Sequence, residues 1–415
     1  MKNSLVVNEI RVPNLPLPPA LTGSEVGSFT EYTVTERMPA IALRVIKENN
    51  FPPQINHKLE QLAAALKTGS LQFLFPDEGV DFSDWEKYLQ PYIGQRWLDI
   101  PWFVAETYFY RLILNITNYF IPGEFQGLDP FLLQKTQGLE ASIDSTISLC
   151  SQVQEWLDEA LADGKPSKAS IMALLYFALW GNRVDLSLWS AFEDDRSKFD
   201  IQNQLTHLLV DDAFLVSKLL TKSPGQRIDF IIDNGGFELI SDLCFADFLL
   251  GSGLAHQVYL HLKPHPTFVS DATIQDVYQT RDFLAEGSHP HVKSFTQRLT
   301  ENLESGRLIL VEDYFWTSPL AFWELPAALT AELAHSNLIV VKGDANYRRL
   351  LGDRHWDFTT NFADIVSYLP APMVALRTLK SEVVAGLTTD TLAELGKVDP
   401  EWLTNGQWGL IQLVI

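Results

Sequence analysis

The sequence predicts an α/β protein: a three-layer α/β/α sandwich with a mainly parallel sheet, preceded by an all-helical N-terminal domain. Two observations carry that prediction. Beyond residue 225 lie six short runs rich in apolar and β-branched residues, "RIDFIID", "QVYLHLK", "RLILVED", "NLIVVKGD", "MVALRTLK" and "WGLIQLVI". Most are separated by stretches long enough for a crossover helix, and apolar strands alternating with helices describe a parallel sheet covered on both faces. Before residue 205, by contrast, apolar residues recur at helical spacing. The absence of a short-period repeat or a low-complexity tract argues against a solenoid.

In chain order, residues 1–25 are rich in Pro, Gly and small polar types without any period, and read as an arm that can drape over the body. Residues 26–205 read as the helical domain. Its helices are expected in "TERMPAIALRVIKENN", with Thr35 as cap, then in "INHKLEQLAAALKTG", "DFSDWEKYLQPYI", "PWFVAETYFYRLILNITNYF", "GLEASIDSTISLCSQVQEWLDEALADG" and "KASIMALLYFALWGNR". The segment "WLDIPWFVAETYFYR", dense in aromatics, reads as helix faces packed in a bundle core, the lesser alternative being that Glu106 and Arg111 line a substrate cleft. Residues 206–415 read as the α/β/α domain that carries the site.

The totals bound the chemistry. A chain of 415 residues has room for two to three domains and a large core. Its 31 Lys and Arg against 52 Asp and Glu give a formal net charge of -21, which repels a phosphate polymer and argues against nucleic acid as partner. The two cysteines, Cys150 and Cys244, sit in apolar contexts and read as reduced, buried thiols of a cytoplasmic protein. "MKNSLVVNEIRVPNLPLPP" lacks the apolar core of a signal peptide, and the longest apolar run, "IMALLYFALW", is half a membrane span, so no membrane partner is expected.

In a parallel sheet, ligands gather beyond the carboxyl ends of the strands. There the first predicted strand ends on Asp233 and Asn234, and the second runs through "PHPTFVSD" to Asp271. A later strand ends in "KGDANYRR", with Lys342, Asp344, Asn346, Tyr347 and Arg348, and the next in "RTLK", with Arg377 and Lys380. Two carboxylates and an amide carbonyl, Asp233, Asp271 and Asn234, suit a hard divalent cation such as Mg²⁺ or Mn²⁺, with substrate phosphate completing the sphere. Gly235 and Gly236 let backbone approach a ligand where a helix begins, and that N-terminus favours an anion. Each piece has a plainer reading: Asp233-Asn234 as a turn and cap, Asp271 as an N-cap, "GDANYRR" as a helix start with surface arginines, Lys380 as a solvated cation.

Other motifs fit less well. A haloacid-dehalogenase phosphatase needs an acid two places after its strand-end Asp, where this chain has Gly235. No "GxSxG" elbow occurs, and "GSG" at 251–253 precedes a strand. His256, His261 and His265 fall in a strand and its loop, not on a helix face.

"FIIDNGGFEL", "TFVSDATIQD", "KGDANYRRLLGD" and "RTLK", in this order, resemble the metal-dependent damage-control phosphatases, long known only as a domain of unknown function. "PWFVAETYFYR" and "ALWGNRVDLS" are similar to the branch bearing the Arg-Thr-x-Lys motif, so the resemblance spans nearly the whole chain. It implies a helical domain on an α/β/α sandwich and a metal (Mn²⁺, Co²⁺, Ni²⁺ or Mg²⁺) held by Asp233, Asn234 and Asp271. It also implies substrate contacts from Asp344, Ala345, Asn346, Tyr347, Arg348 and Lys380, and hydrolysis of sugar phosphates such as fructose 1-phosphate or fructose 6-phosphate. Ala345 stands where relatives carry a larger residue, which bears on substrate preference at that loop. The alternative activity in the family is an S-adenosylmethionine-dependent protein carboxyl methyltransferase, with Glu238 near that cofactor. The spaced glycines usual for that cofactor are missing, however, and a non-catalytic sugar-phosphate sensor would need the same pocket.

The mechanism expected from these residues is metal-assisted transfer of a phosphoryl group to water, with Asp233, Asn234, Asp271 and Lys380 as the catalytic set. Lys380 and Arg348 add positive charge, Asp344 and Asn346 hold sugar hydroxyls, and Tyr347 stacks on the ring. Metal-bound water and a carboxylate such as Asp271 or Asp344 both remain open as the attacking group.

Overall fold

The computed structural model describes residues 12–181 and 206–415. The start of the arm, the last part of the helical region and the end of "ALWGNRVDLS" lie outside the described residues. Seven strands form one sheet: β1 Leu208–Asp211, β2 Gln226–Ile231, β3 Ala255–Leu262, β4 Leu308–Glu312, β5 Leu338–Lys342, β6 Met373–Thr378 and β7 Gly409–Val414. Their order is β1-β7-β6-β5-β2-β3-β4. Every neighbouring pair is parallel except β6 and β7, so the α/β class and the mainly parallel sheet are as predicted. The sequence reading missed β1, a four-residue edge strand whose pairing is with the distant β7. So short a segment carries no period of its own.

The sheet's apolar residues alternate between two cores, as the two-residue period of a strand requires. Ile231, Ile339, Val341, Met373 and Ala375 join one core, with the helices of residues 29–116. Ile228, Phe230, Val340, Val374 and Leu376 join the other. There the helix Lys168–Trp180 packs on β6 and β7, while Ile143–Asp163 packs on Gly236–Gly251 and Pro290–Glu304. The sequence of Lys168–Trp180, "KASIMALLYFALW", is apolar nearly all round, which suits a helix enclosed on every side.

Local chemistry moved three predicted boundaries. Thr35 is not a cap: it lies within a π-helical turn, Thr33–Arg37, and the helix before it starts at Phe29, where Ser28 Oγ accepts from the Glu31 N–H. The long helix expected over 138–164 is two, Leu132–Ala141 and Ile143–Asp163, broken where Ser142 Oγ donates to the Leu139 carbonyl. The helix predicted over 101–120 ends at Ile116, and Asn118 turns the chain with φ at 61°. The described part of the arm does lie on the body: Leu21 donates to the Asp353 carbonyl and accepts from the Trp102 N–H.

Arg111 follows the bundle-core reading and not the cleft alternative: it is buried between Asp77 and Asp81 at 2.9 and 3.0 Å. Burial alone would raise the Asp81 carboxyl, but His265 and the Arg111 guanidinium outweigh it and hold it at about 2, against an ordinary 3.8. A lowered folded value contributes stability above the unfolded value, about 2 kcal/mol here, lost as pH falls from about 4 through about 2. Arg111→Met strands two buried carboxylates and is expected to remove about 3–5 kcal/mol of stability at neutral pH. Urea unfolding of both proteins checks this, and equal midpoints would mean that the network does not stabilise the fold.

Candidate active site

The chain passes from β2 to its neighbour β3 on one side and from β5 to its neighbour β6 on the other, so a crevice opens between the carboxyl ends of the adjacent strands β2 and β5. Asp233 and Asn234 sit at the end of β2. Asn234 bridges to Asp271, the Ala272 N–H donates to the Asp233 carbonyl at 2.8 Å, and the Gly235 N–H donates to the Ser270 carbonyl at 2.7 Å. These bonds stitch the loop after β3 onto the end of β2 and bring together residues nearly forty positions apart. Neither segment is a cap. The helix Gly236–Gly251 starts from Gly235 without a side-chain cap, and the helix Ile274–Ala285 is capped by Thr273 and Asp276.

The carboxylates interact strongly. Burial, Asp271 and Glu238 together push the Asp233 carboxyl well above its usual range, against the pull of Lys263 and Lys380. Burial also raises Asp271, although Lys263 Nζ stands 3.0 Å from its Oδ2. Glu238 differs: burial pushes it up, but Lys342, Asn234 and Lys380 hold it below the usual value. Lys342 Nζ lies 3.1 Å from Glu238 and 2.9 Å from Asp242, whose carboxyl burial lifts to about 7.

A divalent cation fits these residues. Asp233 Oδ1 is buried without a hydrogen-bond partner, and its Oδ2 accepts only from the Asn234 amide, while Asn234 Oδ1 keeps a second lone pair beside its bond from Ser270. Like charges in a buried site need a counter-ion or a proton. Gly343, with φ at 83°, passes so close that a methyl group there would overlap the Asp233 carboxylate. Only glycine serves at this position. Among the described residues no group of three or more His, Cys, Asp or Glu side chains is arranged to hold a metal.

From β5 onward the structure separates the predicted contacts into two kinds. Asp344 Oδ1 accepts from Arg377 Nε at 2.8 Å, Ser381 Oγ at 3.0 Å and the Lys380 N–H at 3.2 Å. It thereby holds the Arg-Thr-x-Lys turn in place. Asn346 donates to the Ile232 and Lys342 carbonyls and ties the ends of β2 and β5 together. Tyr347 is buried, stacked on Phe362 and bonded to Gln412, and Arg348 is taken up by Glu106 and Asp353 over the Trp102 ring. The latter two therefore support the site from behind, and the arginines of "GDANYRR" are not surface residues. Ala345 is half-buried beside them.

A cleft of about 440 Å³ is lined by Asn234, Gly235, Gly236, Glu238, Ser270 and Lys380, together with Lys135 and Gln134. Lys380 is exposed there, while His261 is bound to Asp229 and His265 lies beside Asp81, away from this cleft. Sequence reasoning missed Lys263 and Lys135. Lys263 follows an apolar strand and looks like its solvated end, whereas Lys135 lies more than a hundred residues from its partner Asp276, at 2.9 Å.

Fold and site define a class, the α/β proteins with a polar ligand cleft at the strand ends of a mainly parallel sheet. The family model of the damage-control phosphatase ARMT1-like domain matches residues 33–395. Damage-control phosphatase ARMT1 of Danio rerio is 33% identical over 438 residues, covering 95% of this chain and 97% of that one. Its Homo sapiens counterpart is 32% identical over 437 residues, covering 95% and 98%. A solved DUF89 family protein of Pyrococcus horikoshii matches with a TM-score of 0.48 and 14% identity, over 91% of this chain and 96% of that one. The chain belongs to the ARMT1-like damage-control phosphatase family and is a hydrolase of the phosphatase class. The methyltransferase alternative is not favoured, and Glu238 is already engaged by Lys342 and Asn234. No described helix is long and apolar enough to cross a membrane.

Proposed function

We propose that this cleft hydrolyses small sugar phosphates of the fructose 1-phosphate or fructose 6-phosphate class, using a divalent metal held by Asp233, Asn234 and Asp271. The observation that carries the reading is the buried, unpartnered Asp233 Oδ1 beside Asp271, behind Asn234, which lines the cleft together with a helix N-terminus and Lys380. Mn²⁺, Co²⁺, Ni²⁺ or Mg²⁺, when bound, would supply charge neutralisation for the transferring phosphoryl group.

The chain's own residues do the rest. The N–H groups at Gly236 and beyond present a positive helix end to the phosphate, and Lys380 supplies a fixed cation on the same side. Asp344 positions Lys380 through its backbone N–H, while Arg377 and Ser381 hold Asp344. Glu238, kept ionised by Lys342, orients the Asn234 amide at 2.9 Å. Gln134 and Lys135 complete the lining of the cleft, with Lys135 Nζ held by Asp129 and Asp276. The two reduced cysteines and the acidic surface suit action in the cytoplasm.

Purified protein is expected to release orthophosphate from a panel of phosphorylated metabolites, to lose this activity in EDTA, and to regain it with Mn²⁺, Co²⁺ or Ni²⁺. Full turnover by metal-stripped protein would sink the metal site. Saturable sugar-phosphate binding without orthophosphate release would instead support a sensor.

A further inference from the structure

A second cavity, of about 220 Å³, lies on the other side of the short helix Asp344–Leu350, under the N-terminal arm. Ala20, Tyr92, Phe103, Trp323, Arg349 and Arg354 form much of its wall. Arg349 is 2% exposed, yet no carboxylate among the described residues pairs with it. Its Nη1 donates to the Leu320 carbonyl at 2.6 Å and approaches Ser318 Oγ at 3.5 Å, its Nη2 donates to the Trp316 carbonyl at 3.1 Å, and its Nε–H has no acceptor. The other deeply buried arginines of the fold all have carboxylates: Asp77 and Asp81 for Arg111, Glu106 and Asp353 for Arg348, Asp344 for Arg377. Arg354, the more accessible of the two cavity arginines, donates to the Pro18 carbonyl at 2.6 Å, and its Nε–H also lacks an acceptor.

The acids of this wall do not neutralise the pair. Asp353 is bound to Arg348, and Glu324 is exposed with Oε2 accepting from the Ala321 N–H. Guanidinium stays charged at neutral pH, and an unpaired buried charge is costly unless a counter-ion joins it. Burial pushes even this guanidinium down to about 9, despite Asp271 and Glu324.

We propose that the cavity under Arg349 and Arg354 binds a phosphate-type oxyanion, separately from the catalytic cleft. Free orthophosphate and the phosphate group of a small metabolite share the required chemistry, and the Tyr92 and Trp323 rings offer a wall for an organic remainder. Arg349 lies in the last turn of the helix that begins at Asp344, so an anion here steadies the same element that positions Lys380.

The test is thermal unfolding of metal-stripped full-length protein in EDTA, titrated with orthophosphate, sulfate or glycerol 3-phosphate against chloride at equal ionic strength. Wild type and Lys380→Met are expected to rise by about 3 °C at a hundredfold excess of phosphate over its Kd, and Arg354→Gln and Arg349→Met to show no rise. Arg349→Met sheds an unpaired charge and is expected to be no less stable than wild type in chloride. A glycerol 3-phosphate response that is also lost in Arg354→Gln assigns an esterified ligand, and a response to orthophosphate and sulfate alone assigns the free anion. The proposal is overturned if wild type does not respond beyond chloride, or if Arg354→Gln responds like wild type, whether or not Lys380→Met does.

Discussion

Asp233→Ala is expected to lower phosphatase turnover by at least about a thousandfold while leaving metal-free protein as stable as wild type. The reasoning joins burial to charge. Asp233 has an unpartnered Oδ1, and two further acids, Asp271 and Glu238, oppose its ionisation. A group in that setting costs the apo fold energy, so removing it does not weaken the core. Under the proposed function, removing this metal ligand takes away the main stabiliser of transition-state charge, and the loss of a single electrostatic group already costs about a hundred- to a thousandfold. Two measurements check this: orthophosphate release at saturating Mn²⁺, and thermal unfolding with and without Mn²⁺. Wild type is expected to gain stability from the ion and the variant not to. Should Asp233→Ala instead unfold without metal, the carboxylate would be a structural turn residue.

Lys380→Met carries the next largest effect, a loss of turnover of roughly a hundredfold, or about 2.7 kcal/mol. Methionine keeps most of the bulk of the stem and deletes the charge. The lysine side chain is exposed in the cleft, while its backbone N–H is pinned by Asp344, so the variant changes the cation without disturbing the turn. A contact that strengthens in the transition state lowers turnover, whereas one made equally in the ground state raises only the Michaelis constant. Both constants, measured for fructose 1-phosphate at saturating Mn²⁺, decide between them. Wild-type values for both would return Lys380 to the solvated surface.

Much of this site was legible because it lies where strands end. Asp233 and Asn234 follow "RIDFII" directly, and Asp344 follows "NLIVVKG", so strand periodicity locates both without knowledge of their neighbours. The supporting residues were not legible. Arg348 reads as a phosphate ligand from its position in "GDANYRR", and only the packed chain reveals that Glu106, 242 residues away, and Asp353 already occupy its guanidinium. Tyr347 likewise reads as a stacking platform but is spent on Phe362 and Gln412.

The sequence by itself determined the α/β class, the six main strands, the acidic surface and the strand-end carboxylates, because each depends on local period or on residue type. Tertiary structure decided the rest. It set the strand order that puts the switch point between β2 and β5, the antiparallel β7, the edge strand β1 and the division of the early helices between two faces of the sheet. It also decided which buried charges found partners: Lys263 for Asp271, Lys342 for Glu238 and Asp242, and, among the described residues, no carboxylate for Arg349. The physical reason is that an ion pair depends on distance in space, and a parallel sheet with crossover helices places far-separated loops at one edge. Residue spacing along the chain therefore says which groups need a partner, and only the fold says which of them have one.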